Sequence, residues 1–253
     1  MKLFHRELGE GQPLVLLHGI FGSSDNWLTQ ARMLSAHFRT YAVDLRNHGH
    51  SPHADTFDYP VMAADVLEFI ETHHIADPVI IGHSMGGKVA MNLAVAHPEK
   101  LQKLIVVDIA PKAYSMAHYV ILEGLQAIPI TEITSRNEAD DALARFVDEA
   151  DVRQFLLKNL QRKPEGGFKW KLNLAAIADN IHKIGLDLQS EGKFEKQTLF
   201  VRGARSNYVK DEDFDRIREV FPAAEMVTLD TGHWLPAEKP TEFVALIEKW
   251  IRP

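Results

Sequence analysis

The sequence predicts an α/β protein: a mostly parallel central sheet of seven or eight strands, flanked by helices and interrupted by an inserted helical segment. Three observations carry that prediction. Short apolar runs alternate with helix-length amphipathic stretches over residues 1–111 and again over 185–253. Between 112 and 184 the rhythm stops, and helical patterns replace buried strands. Finally, the apolar run Pro78-Val79-Ile80-Ile81 passes into a helical run beginning at Lys88 through a few glycine-rich residues, a tight strand-to-helix bend.

Each element follows from its local pattern. Residues 2–8 read as an edge strand, Gly9-Glu10-Gly11 as a turn, and Pro13-Leu14-Val15-Leu16-Leu17 as a strand buried on both faces. A small-residue loop, His18-Gly19-Ile20-Phe21-Gly22-Ser23-Ser24, leads to a helix over 27–36 that Asp25 or Asn26 would cap. A third strand covers 39–44. In 59–73 the apolar residues Val61, Ala64, Val66, Leu67, Phe69 and Ile70 mark one helical face. The run Leu104-Ile105-Val106-Val107-Asp108 is a further buried strand. Beyond Pro111, helices are expected at 116–126, 138–149, 152–160 and 173–181, punctuated by Pro129, Pro164 and Gly166-Gly167. The sheet resumes with a strand at 197–201, a helix at 211–220, a strand at 224–229 and a last helix at 241–250. Residues 1–111 and 185–253 thus form the core, and 112–184 a cap inserted between two of its strands.

The bend carries Gly82-His83-Ser84-Met85-Gly86, a G-x-S-x-G motif. That pattern recurs by chance; what gives it chemical meaning is the strand before it and the helix after it, which lift the serine hydroxyl above the sheet edge beside a helix N-terminus. A serine hydroxyl is a weak nucleophile and needs a base, which in turn needs an orienting group. Among 13 histidines, His233 lies just past the last strand, at the same sheet edge as the bend. His18 and His83 flank the same loops but read as backbone-orienting groups. Asp108 closes the strand beside the bend strand, and the order Ser84, Asp108, His233 suits a nucleophile–acid–base set. The simpler alternative for Asp108 is that it only satisfies amides of the Ile109-Ala110 turn. The loop Gly203-Ala204-Arg205-Ser206-Asn207-Tyr208 has Ser206 available to donate to that acid, whereas Asp211 and Asp213 read as the start of the next helix. Backbone amides of Met85 and Ile20, with Phe21 in reserve, are the candidates for holding a developing oxyanion. Phe21, Tyr114, Met116, Tyr119, Leu122, Phe155, Leu156, Trp170 and Trp234 are candidates for an apolar pocket, and most such residues simply fill a core.

These motifs, with Asp44-Leu45-Arg46-Asn47-His48-Gly49-His50-Ser51 and Gly232-His233-Trp234, resemble the α/β-hydrolase superfamily. More narrowly, Asp108-Ile109-Ala110-Pro111, Phe155-Leu156-Leu157-Lys158 and the stretch from His233 to Pro240 are similar to the bacterial YbfF-type esterases. The resemblance runs over nearly the whole chain, is specific at the motifs and is vague over much of the cap. It implies an α/β-hydrolase fold lacking part of the usual first hairpin, and hydrolysis of acyl esters or thioesters without a cofactor. Many members carry the acid after the next-to-last strand, where this chain has Ser206; Asp108 is the departure.

Composition bounds the partners. A net charge of -7 argues against nucleic acid, and 45 % hydrophobic residues with no run near 18 apolar residues argue for an ordinary globular protein without a membrane span. With no cysteines, disulfides and cysteine catalysis are excluded. The first residues lack the apolar stretch of a signal peptide, so a cytoplasmic protein is expected, while the sequence leaves its oligomeric state, monomer or weak dimer, open. His48-Gly49-His50-Ser51-Pro52-His53 invites a metal, but no carboxylate completes the set, and a polar loop packed by Arg46 and His48 is expected. Arg162, Lys163, Lys169 and Lys171 form a basic cluster that reads as a solvated face, with attraction of an anionic carrier such as coenzyme A as the alternative. Carbon–carbon bond hydrolysis or a lyase reaction on the same three residues, and a ligand receptor that barely turns over, are the rival functions.

Overall fold

The computed structural model describes residues 1–115 and 118–252. Its central sheet has seven strands, β1 (His5–Leu8), β2 (Gln12–Leu17), β3 (Phe38–Val43), β4 (Val79–His83), β5 (Lys103–Val107), β8 (Thr198–Gly203) and β9 (Ala224–Leu229), in spatial order β1-β3-β2-β4-β5-β8-β9. Only β1 runs antiparallel, pairing His5 with Val43 and Leu8 with Thr40. The remaining neighbours are parallel.

The apolar runs explain the layers. Successive strand residues point to opposite faces, and both faces are covered. Val15, Leu17, Val43, Ile80, Leu104, Val106 and Phe200 pack on one side with helices α2 (Tyr59–Thr72) and α3 (Met85–Ala96). Leu14, Leu16, Ala42, Val79, Ile81, Ile105, Val107, Leu199 and Val201 pack on the other, against α1 (Leu28–Leu34) and α10 (Pro240–Ile251). Strands with no polar face are therefore what this sheet demands.

Residues between β5 and β8 contain α4 (His118–Ala127), α5 (Arg136–Leu143), α6 (Ala150–Leu157) and α7 (Leu174–Ile184). They also contain a hairpin absent from the expected pattern, β6 (Leu160–Arg162) with β7 (Phe168–Trp170), so this segment is not purely helical. Gly166 and Gly167, at φ +99° and +73°, turn the hairpin rather than separate helices. The α5 helix stops at Leu143, short of the expected 149. Near the amino end, Asn26 does not cap its own helix; its side-chain oxygen accepts from the Ser23 amide, while Ser23 is the cap. The remaining helices are α8 (Asp213–Val220) and the short α9 (Leu235–Glu238), the latter also unexpected. Met116 lies outside the described residues.

Candidate active site

The site is built at the carboxyl ends of β2, β4, β5, β8 and β9. Between β4 and α3 a single residue, Ser84, makes the turn, with φ 53° and ψ -119°, and its amide donates to the Val107 carbonyl (3.0 Å). This conformation is strained for a residue with a Cβ. The surroundings hold it there: a Cβ on Gly82 would collide with the Gly86 carbonyl, and one on Gly86 with the Leu17 and His18 carbonyls. Close approach of three backbones, rather than flexibility, is what those glycines provide.

Asp108 also sits at positive φ, 50°, immediately after β5, and its side chain is buried. Its amide donates to the Val201 carbonyl (2.8 Å). Its Oδ1 accepts the Gly203 amide (3.0 Å), while Oδ2 accepts both the Ser206 hydroxyl and His233 Nδ1–H, the latter at 2.7 Å. Neither of the other two carboxylates does this. Asp211 pairs with Arg202 at the surface, and Asp213 accepts from the Lys210 amide and from Lys112. With Nδ1–H given to Asp108, His233 keeps Nε2 as a bare acceptor. Tyr208 stacks on the imidazole, centroids 4.0 Å apart and planes 18° from parallel. Tyr208 was not among the expected residues, although it lies only two positions after Ser206.

Three other histidines serve the backbone. His18 accepts the Leu45 amide at Nε2 (3.0 Å) and donates from Nδ1 to Gly19 O (2.8 Å). His48 accepts the Phe21 amide at Nε2 (3.2 Å) and donates from Nδ1 to Arg46 O (2.8 Å). His83 shares 2.9 Å with the His233 carbonyl through Nε2. Burial, reinforced by a neighbouring histidine, pushes His48 and His83 down to about 3, and burial lowers His18 as well. Arg46 is held by a buried two-point contact to Asp65, 2.5 and 2.8 Å, which anchors the 44–51 loop to α2. Among the described residues no group of three metal-ligating side chains is present.

Gly19 brings the loop after β2 against the bend: a Cβ there would lie 3.3 Å from Ser84 Cβ. Met85 opens α3, where a first-turn amide has no intrahelical acceptor. The Ile20 amide has no acceptor among the described residues, whereas the Phe21 amide is engaged by His48. Met85 and Ile20 therefore offer the free donors, and Phe21 does not.

A small cavity is lined by Ser84, Ile20 and Met85 together with Tyr59, Ile109, Tyr114, Ile184, Gly185 and Tyr208. Of the expected pocket residues that the structure describes, only Tyr114 is among them. Tyr119 is 45 % exposed on α4, because the helix turns that position outward. Phe21 is buried, with its carbonyl bonded to Asn159 (2.7 Å). Phe155 packs on Trp234, centroids 4.3 Å apart, and Trp170 packs on the core edge. Leu122 and Leu156 are core. In the basic cluster, Arg162 lies over the Phe168 ring (4.9 Å) and Lys171 reaches Asp25 (4.0 Å); none lines the cavity. A wider surface cleft, at Ile70, Glu71, His74, Ile75, Asp77 and Lys100, contains none of the site residues.

Comparison with known proteins agrees with this architecture. A family model described as the alpha/beta hydrolase fold matches residues 12–132. The sn-1-specific diacylglycerol lipase ABHD11 of Danio rerio is 37 % identical over 255 residues, covering 97 % of this chain and 80 % of that protein. Esterase YbfF of Escherichia coli is 34 % identical over 242 residues, covering 94 % and 92 %. Among solved structures, a marine microorganism esterase superposes with a TM-score of 0.95 at 42 % identity, covering 98 % of both chains. Among the described residues no helix is long and apolar enough to cross a membrane.

Proposed function

The chain belongs to the α/β-hydrolase family and is a carboxylesterase-type hydrolase, and from that premise we propose that it cleaves acyl esters through Ser84, His233 and Asp108. The observation that supports this reading most is the 2.7 Å bond from His233 Nδ1 to Asp108, with that imidazole stacked on Tyr208, which shares the cavity with Ser84 in its strained turn. His233 Nε2 takes the Ser84 proton as the oxygen attacks the acyl carbonyl, and Asp108 stabilises the imidazolium so formed. The Ile20 and Met85 amides receive the oxyanion. As the tetrahedral species collapses, His233 returns the proton to the departing alcohol. Water, deprotonated by the same imidazole, then clears the acyl-enzyme and releases the acid. No cofactor enters.

Thioesters belong to the same proposal, since the acyl carbonyl is what the site addresses and a thiol leaves more readily than an alcohol. Residues 112–184 act as the cap over the cavity, contributing Tyr114 and Ile184 to its lining. The test is direct. Wild type should hydrolyse p-nitrophenyl butyrate and take up one fluorophosphonate on Ser84, and Ser84→Ala should lose on the order of 10⁴-fold or more in kcat while staying folded. A label retained on another serine would overturn the assignment. Matched acyl-coenzyme A thioesters, run beside the oxygen esters, decide the leaving group.

A further inference from the structure

Lys88 is a fully buried lysine four residues after Ser84 on α3. A buried ammonium is expensive unless its protons are satisfied. None of the ion pairs among the described residues includes Lys88, and nearby Asp187 is bridged to Arg216 instead (3.4 Å). Its Nζ donates to two carbonyls, Lys112 O at 2.5 Å and Leu186 O at 2.8 Å, and lies 5.7 and 5.4 Å from the ring centroids of Tyr59 and Tyr114. Burial lowers its affinity for the proton to about 8, so the ammonium remains largely charged at neutral pH.

The two acceptors are what make this group informative. Lys112 stands where the chain leaves the sheet for the inserted segment, and Leu186 stands where it returns. The two ends also touch each other, Tyr114 N–H donating to Gly185 O at 2.8 Å. Tyr59 on α2 adds a further tie, its hydroxyl donating to Ile184 O at 2.7 Å. Tyr59, Tyr114, Ile184 and Gly185 all line the cavity at Ser84. That cavity is about 20 Å³, little more than one water needs. Three of its lining residues, Tyr114, Ile184 and Gly185, stand at the tethered ends of the insertion, so an acyl chain that outgrows this space presses on them.

We propose that Lys88 is a specificity-determining positioning residue, whose ammonium ties both ends of the inserted segment to the helix that follows Ser84 and so limits how far the acyl cavity opens. The proposal rests on the reading of Ser84 as an acyl-ester nucleophile. Lys88 does not touch the reacting atoms; it acts through Tyr59, Tyr114 and the two carbonyls. A short acyl chain needs little opening and is accepted with the tether intact, whereas a long chain works against it.

The experiment compares p-nitrophenyl acetate, butyrate and octanoate on wild type and Lys88→Met, with melting temperature recorded for each. Lys88→Met should keep kcat/KM for acetate within about threefold and raise the octanoate-to-acetate ratio at least tenfold. An unchanged ratio, or a uniform loss over all three esters, would overturn the proposal, because a merely structural lysine has no reason to discriminate chain length. If Lys88→Met does not fold, Tyr59→Phe replaces it, since that change frees the Ile184 carbonyl without disturbing a charge. The ratio should then rise in the same direction, and a wild-type ratio in Tyr59→Phe would refute the tether. Absence of ester hydrolysis by the wild type would instead remove the esterase reading itself.

Discussion

Replacing Asp108 by asparagine tests the proposed site most sharply, because the change is nearly isosteric and its electronic effect is large. The carboxylate accepts three hydrogen bonds, from Gly203 N–H, the Ser206 hydroxyl and His233 Nδ1–H. An asparagine oxygen at the Oδ1 place keeps the first. Its NH₂ group then faces His233 Nδ1 and Ser206, both of which were donors. Ser206 can rotate its hydroxyl to accept, and the imidazole can accept only by moving its proton to Nε2. That tautomer satisfies every buried group, so the fold should survive. It also places a proton where the base needs a lone pair, and no carboxylate remains to stabilise the imidazolium. The expected loss in kcat is about 10⁴-fold, or about 5.4 kcal/mol in the barrier, with KM little changed. Steady-state hydrolysis of p-nitrophenyl butyrate measures it, with circular dichroism and melting temperature as fold controls. Asp211→Asn is the comparison: that side chain is 92 % exposed and should change stability by less than about 0.5 kcal/mol and leave the rate unaltered. A folded Asp108→Asn enzyme within tenfold of wild type would refute the assignment of the acid.

Two further outcomes follow from neighbouring groups. Ser206→Ala removes a hydroxyl donor from the charged Asp108, a loss of roughly 1.5–3 kcal/mol, so kcat should fall about ten- to hundredfold if the whole effect reaches the transition state. A rate equal to wild type would mean the hydroxyl does not support the acid. His48 is held neutral in the fold, its pKa lowered from 6.5 to about 3, so the unfolded chain binds the extra proton as pH falls. Its stabilising effect is complete above 6.5 and is lost progressively down to about 3, amounting to about 2 kcal/mol at pH 5. Urea unfolding at pH 7 and pH 5 should therefore show a smaller stability loss in His48→Gln than in wild type, and equal losses would contradict the burial argument.

Much of this architecture is readable from residue patterns because the physics is local. Fully apolar runs such as Val79 to Ile81 have no solvent face to show, and their shortness, β-branching and flanking Pro78 and Gly82 mark them as interior strands, while the glycines at 82 and 86 reveal a backbone crossing. Asp108 is recognisable because it ends such a run. The hairpin is not, since Leu160–Arg162 and Phe168–Trp170 are three residues each and carry no periodicity, and Gly166-Gly167 punctuates a helix break and a turn equally well. Nor is the cavity. Tyr59, Ile184 and Tyr208 come from a helix start, the end of the insertion and a loop after β8, and only the packing of all three brings them to Ser84. Large aromatics such as Tyr119 and Trp170 draw attention by type, but which face a helix or hairpin turns inward decides their contact.

The hydrogen bond between Ser206 and Asp108 joins the ends of two adjacent parallel strands, β5 and β8. One point in space beside His233 is thus reachable from two places in the chain, 98 residues apart. Under the proposed roles, a carboxylate carried at either position would reach the same imidazole. A lineage that moved it from position 108 to 206 would lose the base's partner if the aspartate at 108 went first. If the aspartate at 206 arrived first, two carboxylates would crowd one imidazole and hold a proton between them. Under the proposed roles, that double carboxylate keeps an anion available to His233, whereas loss of Asp108 first leaves the imidazole without one.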